Sequence, residues 1–212
     1  MDKISDAIYQ LSIHIANDLL QPIRYLPLGI FISCIFLILW NIYNKERYCG
    51  KHPSKQNRKW ILFLCITYIT VLLQLAIFSR EPGSRIGVNL ELFDTWGNST
   101  MSQAYFIENI IMFLPFGILF PLGFSKVKIG RYCIMTGFLF SVCLELLQFL
   151  TKRGYCQLDD IVTNTFGTAL GWGVYKIGVY LIPKHLLPIG IKTTKNRNKN
   201  KNKNKKPTIP LN

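Results

Sequence analysis

Carboxylates and amides set inside apolar runs are the side chains of this chain with the most capacity for chemistry. Glu145 and Gln148 stand three apart near the end of one run, in CLELLQFL. Asp160 and Asn164 open the next, in DDIVTNTFGTALG, after a short polar connection holding Lys152, Arg153 and Asp159. Glu108 and Asn109 enter a third run, ENIIMFLPFG. Ionisable groups in hydrocarbon are expensive and mark a site or a tight helix contact. Deprived of water, such a carboxyl is suited to proton transfer. Glu145 is thus a candidate general base, and Asp160 a candidate second acid or metal ligand with Glu108 assisting.

Three readings compete for these residues. One is an integral-membrane enzyme acting on a lipid-linked or acylated substrate through Glu145 and Asp160. Against it, His14, His52 and His185 all lie elsewhere, and no Ser or Cys nucleophile sits beside a base. The second is a non-catalytic polar site that handles a lipid-tailed molecule at the membrane face. The third is a hydrogen-bonded network that docks three helices. No cofactor and no metal are expected. The six cysteines are scattered without CxxC spacing, and Cys49 with His52 lacks two further ligands nearby.

The elements that position these residues are membrane helices. Half of the 212 residues are hydrophobic, 17% are charged, and the apolar ones come in long blocks; mean hydropathy is +0.23. The spacing predicts an all-α bundle of about five spans, each near the ~20 residues that cross ~30 Å of hydrocarbon. They run over 23–43, 60–79, 105–124, 132–150 and 160–182. Pro115 falls in mid-membrane, cannot donate to the carbonyl of Ile111, and predicts a kink there. Residues 1–22 form a separate amphipathic helix, with Ile4, Ile8, Leu11, Ile15 and Leu19 in a stripe and Asp2, Asp6 and Asp18 on other faces. The organisation is then 1–22 amphipathic, 23–79 two spans, 80–182 a three-span core, and 183–212 a tail. The tail, with KNRNKNKNKNKK at 195–206, is low in complexity and expected to be disordered.

The net charge of +14 raises nucleic acid as a partner until the basic residues are located. Most flank the apolar blocks, and no aromatic residues interleave the tail lysines, so the bilayer is the expected partner. Links carrying Lys45, Arg47, Lys51, Lys55, Arg58 and Lys59, and Lys126, Lys128 and Arg131, alternate with links poor in positive charge. By the positive-inside rule the N-terminus is outside and the C-terminus in the cytoplasm. Glu108, Asn109, Glu145, Gln148, Asp160 and Asn164 then all lie toward the outer face. From Glu145 to the following link is about six residues, roughly 9 Å, and Asn164 lies about as deep on the returning helix. Glu145 is expected within side-chain reach of Asn164 or of Arg153, which would snorkel back along the helix end, with Asn109 completing the group. Gly167 and Gly171, four apart, predict close approach of another helix. The loop 80–104 is placed to cover the group.

From about Arg80 to Tyr175 the chain resembles the VanZ-like family, named for a teicoplanin-resistance protein. Three blocks carry the likeness. ENIIMFLPFG matches N-x-x-x-F-x-P-x-G through Asn109, Phe113, Pro115 and Gly117. ELLQFL with Arg153 beyond it matches E-x-x-Q and a basic residue. DDIVTNTFGTALG matches D-x-x-x-N-x-x-G-x-x-x-G through Asp160, Asn164, Gly167 and Gly171. Two positions depart: Gln157 stands where an acidic residue is usual, and Leu92 where the outer loop has proline. The resemblance implies a bacterial plasma-membrane protein linked to cell-wall antibiotics. A lipid-linked wall precursor or a lipoglycopeptide at the outer face is the implied partner. It supplies residues without a reaction, and the oligomeric state stays open.

The orientation is directly checkable. Reporter fusions after Lys55 and after Lys206 should read cytoplasmic, and a fusion after Asn98 external. A cytoplasmic signal at Asn98 would remove the outward-facing site altogether.

Overall fold

Glycines decide which helices meet. In the computed structural model, which describes residues 3–45, 53–83, 87–93, 96 and 99–181, helix α3 (Thr100–Gly123) packs on helix α5 (Leu158–Leu181). A β-carbon at Gly167 would strike the carbonyl of Ile110, and one at Gly171 the carbonyl of Leu114. Gly117 reciprocates against the Thr168 carbonyl. Contacts advance together along both helices, so α3 and α5 run parallel with their backbones touching, as small-xxx-small spacing permits. Between them in sequence lie a 3-10 turn, Ser125–Lys128, and helix α4 (Gly130–Leu150). Helix α4 closes on α5 where Gly137 faces Thr168.

Two further helices complete the bundle. Helix α2 (Pro53–Leu73) ends in a widened π turn, Gln74–Phe78. Helix α1 runs unbroken from Lys3 to Lys45, through Pro22 and Pro27. The division expected at residue 22, between an amphipathic segment and a first span, is therefore not a structural break. No glycine or turn sequence separates the two stripes, and each proline removes only one backbone hydrogen bond. Gly29 and Ser33 of α1 meet α2 at Thr67, whose hydroxyl lies 2.8 Å from the Ser33 hydroxyl.

Among the described residues, four helices are long and apolar enough to cross a membrane: Ile8–Tyr43, Lys59–Phe78, Thr100–Gly123 and Gly130–Leu150. Helix α5 is not among them, and the reason is in its faces. Its buried side carries Asp159, Thr163, Asn164, Gly167, Thr168 and Gly171. Its exposed side carries Val162, Phe166, Leu170, Val174 and Ile177, an apolar stripe at helical spacing. The polar residues lower the average while the outward face stays fit for lipid.

Helix α3 starts with Ser99, whose side chain accepts the Ser102 N–H at 3.1 Å. It continues as helix through Pro115. The Tyr68 hydroxyl donates to the Met112 carbonyl at 2.8 Å, next to the Ile111 carbonyl that Pro115 leaves without its N–H. Phe113 and Phe116 of α3, Leu72, Ala76 and Ile77 of α2, and Leu144 of α4 form the buried core.

The all-helical expectation needs one amendment. Two short strands, β1 (Val88–Asn89) and β2 (Cys156–Gln157), pair in parallel. Phe93, at a φ of 63°, donates its N–H to the Asp159 carboxylate at 2.7 Å. The loop after α2 is thus fastened to the α4–α5 link. Cys49, His52 and the basic tail from residue 183 lie outside the described residues.

Substituting Gly167 by Ala should lower thermal stability in detergent by about 1–3 kcal/mol, because a backbone carbonyl cannot step aside. Gly173 has nothing within 4 Å of its missing β-carbon. Gly173→Ala should be neutral or stabilising by up to about 1 kcal/mol. Equal effects at the two sites would mean that α3 and α5 do not touch there.

Candidate functional site

Because α3 and α4 are joined by a short turn, Glu108 and Glu145 stand equally far from that turn, about 22 Å along each helix. Helix α5, parallel to α3, begins at the same end with Asp159 and Asp160. The π turn of α2 and the Asp18–Pro22 stretch of α1 also reach this level. A cavity of about 640 Å³ opens among the five helices there. Val71, Leu72, Leu75, Ile111, Met112 and Leu144 give it apolar walls; Glu108, Asn109, Glu145, Gln148, Asp160 and Asn164 all line it.

Hydrogen bonds tie five of these six polar residues to neighbouring elements. The Asn109 amide donates to the Asp160 carboxylate at 2.8 Å, joining α3 to α5. The Asn164 amide lies 2.9 Å from the Ser141 hydroxyl of α4. Glu145, only 2% exposed, accepts the backbone N–H of Gln157 at 2.9 Å. Pairing with β1 holds Gln157 in place, since the Cys156 N–H donates to the Gly87 carbonyl at 3.0 Å. Gln148 donates its amide to the Ala76 carbonyl at 3.0 Å, one of the carbonyls at the end of α2.

Arg153 goes elsewhere. Its guanidinium donates to the carbonyl of Ile77 at 3.2 Å and stacks over the Phe78 ring. It caps the carbonyl end of α2, where a cation is favoured by the helix dipole, and does not line the cavity. The expected contact with Glu145 is replaced because Lys152, at a φ of 55°, turns the link sharply and brings the Arg153 N–H onto the Gln148 carbonyl at 2.9 Å. Arg80 is the basic residue at the cavity instead, close enough for its charge to act on both Glu145 and Asp160. The loop 80–104 contributes Arg80 and Glu81 to the lining, while residues 87–93 do not line it.

Sequence reasoning missed Arg80, Asp18 and Tyr68. The one available signal was Asp18 and Gln21 at helical spacing beside Pro22, at the edge of an apolar run. Among the described residues, no group of three His, Cys, Asp or Glu is placed to hold a metal ion. Cys156 precedes Gln157, whose N–H Glu145 accepts. Burial, with the Glu145 and Asp160 charges behind it, pushes the pKa of Cys156 up, so at neutral pH it is a thiol and not a nucleophilic thiolate. The arrangement can bind, orient or exchange protons with a polar group whose apolar part lies against the walls.

Long apolar helices around an acidic and amide-lined cavity define a helical membrane protein with an internal polar site. A model of the VanZ/LLP1 family matches residues 30–180, and the chain belongs to that family. Protein VanZ of Enterococcus faecium is 28% identical over 127 residues, covering 59% of this chain and 75% of that protein. No solved structure matches. The family match reaches back to residue 30, well before the Arg80 at which the motif likeness begins, so α2 and the C-terminal third of α1 are part of the shared unit.

Arg153→Ala should destabilise the protein by roughly 1–2 kcal/mol, the loss of hydrogen bonds from a charged donor that is part exposed. Thermal melts in detergent would measure it. An unchanged melt would show that the end of α2 does not depend on this cap.

Proposed function

We propose that this protein is a multi-pass component of the bacterial plasma membrane whose cavity faces outward and holds the polar head of a lipid-tailed molecule. The five long helices cross the bilayer with the N-terminus outside, following the distribution of basic links. The occupant is a lipid-tailed glycopeptide or a lipid-linked wall precursor, and the outcome is teicoplanin-type resistance or envelope homeostasis. One observation carries the reading: a single cavity combines apolar walls with Glu108, Asn109, Glu145, Gln148, Asp160 and Asn164. Its volume is in the range of sites that bury a small organic ligand.

The proximity of Glu145 and Asp160 sustains a second reading, an enzyme acting on a lipid-linked or acylated envelope substrate. There Glu145 would be the base and Asp160, oriented by Asn109, the acid. Ser141 is engaged with Asn164 and the Ser79 hydroxyl donates to the Leu75 carbonyl at 2.7 Å, so neither hydroxyl is paired with Glu145 or Asp160.

Susceptibility to teicoplanin and to vancomycin, compared with and without the gene, tests the first reading. Raised tolerance of the lipid-tailed drug alone is the expected result. Glu145→Gln keeps the acceptor for the Gln157 N–H and removes the charge, so this variant should fold normally and lose most of the effect. Equal effects on both drugs would argue against recognition of a lipid tail. Turnover of a lipid-linked substrate that Glu145→Gln abolishes, with binding retained, would establish the enzyme instead.

A further inference from the structure

The headgroup chemistry can be narrowed by what the cavity leaves unsatisfied. Among the described residues, its lining holds Asp18, Glu81, Glu108, Glu145 and Asp160 against Arg80, with no lysine or histidine. The carboxyls of Asp18 on α1 and Glu108 on α3 face one another. The second observation is independent of charge. Gln148 is only 4% exposed, and its Oε1 has no hydrogen-bond partner. Its amide cannot be turned round, because the nitrogen is held by the Ala76 carbonyl, which only accepts. Glu108 Oε1 and Asn164 Oδ1 are unpartnered as well. Among the described residues, every buried side-chain atom without a partner is an oxygen acceptor. Each such atom carries a desolvation penalty of about 1–3 kcal/mol until a donor arrives.

Resting on the reading of the cavity as a headgroup site, we infer that it takes the primary ammonium group of an amphiphile, whose chain lies against Leu75, Ile111 and Met112. An ammonium brings a positive charge and three N–H donors in one compact group. A sugar supplies donors and leaves the acidic excess uncompensated. A quaternary ammonium supplies charge and no donor. A phosphate adds negative charge to an acidic lining, and Arg80 already acts on Glu145 and Asp160.

The test uses the full chain in phosphatidylcholine nanodiscs, titrated with four amphiphiles of one chain length. They are dodecylammonium, dodecyltrimethylammonium, dodecyl phosphate and dodecyl glucoside, with partition into empty nanodiscs subtracted. Dodecylammonium should bind about tenfold more tightly than the other three. Glu108→Gln should erase that preference while the thermal melt stays cooperative. Should that variant fail to fold, Asp18→Asn removes the facing charge and should have the same effect. Binding of the glucoside or the phosphate as tightly as the ammonium overturns the inference and leaves the headgroup reading standing. No binding above empty nanodiscs for any of the four overturns both. An ammonium preference unchanged in Glu108→Gln and Asp18→Asn assigns the binding to another surface and overturns the inference.

Discussion

The backbone contact between α3 and α5 is the constraint from which the site follows. With Gly167 against the Ile110 carbonyl and Gly171 against the Leu114 carbonyl, the two helices cannot slide past one another without driving main chain into main chain. Because they run parallel, fixing this contact also fixes their upper ends. Asn109 is then brought to Asp160, and the Asp160 carboxylate is committed to the interior before any side-chain preference is consulted. Helix α4 follows by connectivity: a short turn returns it antiparallel beside α3, and Gly137 admits Thr168 of α5. Three helices locked by small residues deliver three polar ends to one level.

The opposite problem arises at α2, whose helix ends inside the bundle instead of in water. A π turn leaves carbonyls that need donors at this depth, since unpaired backbone groups are costly away from solvent. Gln148 and Arg153 satisfy them. Gln148 therefore works on two sides, its nitrogen tying α4 to α2 and its oxygen buried at the cavity wall without a partner. Structure and site are not separable at this residue. A substitution that removes the amide disturbs the docking of α2 as well as any ligand, whereas Glu108 and Glu145 can be neutralised with their hydrogen-bonding shapes retained.

Much of the site was legible because hydrocarbon makes polar residues conspicuous. Glu108, Asn109, Glu145, Gln148, Asp160 and Asn164 stand out from apolar runs, and their matched depths follow from counting residues along helices joined by short links. What failed to read out depended on contacts between distant segments. Arg153 and Arg80 are both basic residues just beyond an apolar run. Choosing which one meets the carboxylates required the positive φ of Lys152 and the position of the end of α2, and local spacing encodes neither. Asp18 read as the wet side of an amphipathic helix because its neighbours in sequence are apolar and polar in turn. Only the continuity of α1 through Pro22 carries that face to the cavity. The hydropathy average of α5 is low for a related reason: its polar residues are turned inward, onto glycine-rich contacts.

The link residue Gln157 shows how the site separates geometry from chemistry. The hydrogen bond that holds Glu145 comes from the backbone N–H of Gln157, and pairing of β1 with β2 fixes that N–H at this position. No side chain at 157 is needed for it. The VanZ-like pattern usually has an acidic residue here, so the exchange for glutamine leaves the support of Glu145 intact and changes only what faces the cavity, which Gln157 also lines. Its effect is electrostatic: one carboxylate fewer beside Glu145 and Asp160, where like charges in a site of low dielectric repel strongly. The strand pair therefore does more than close a loop. By supplying the donor from main chain, it lets the side chain at 157 vary and tune the charge of the cavity without moving the group that charge acts on.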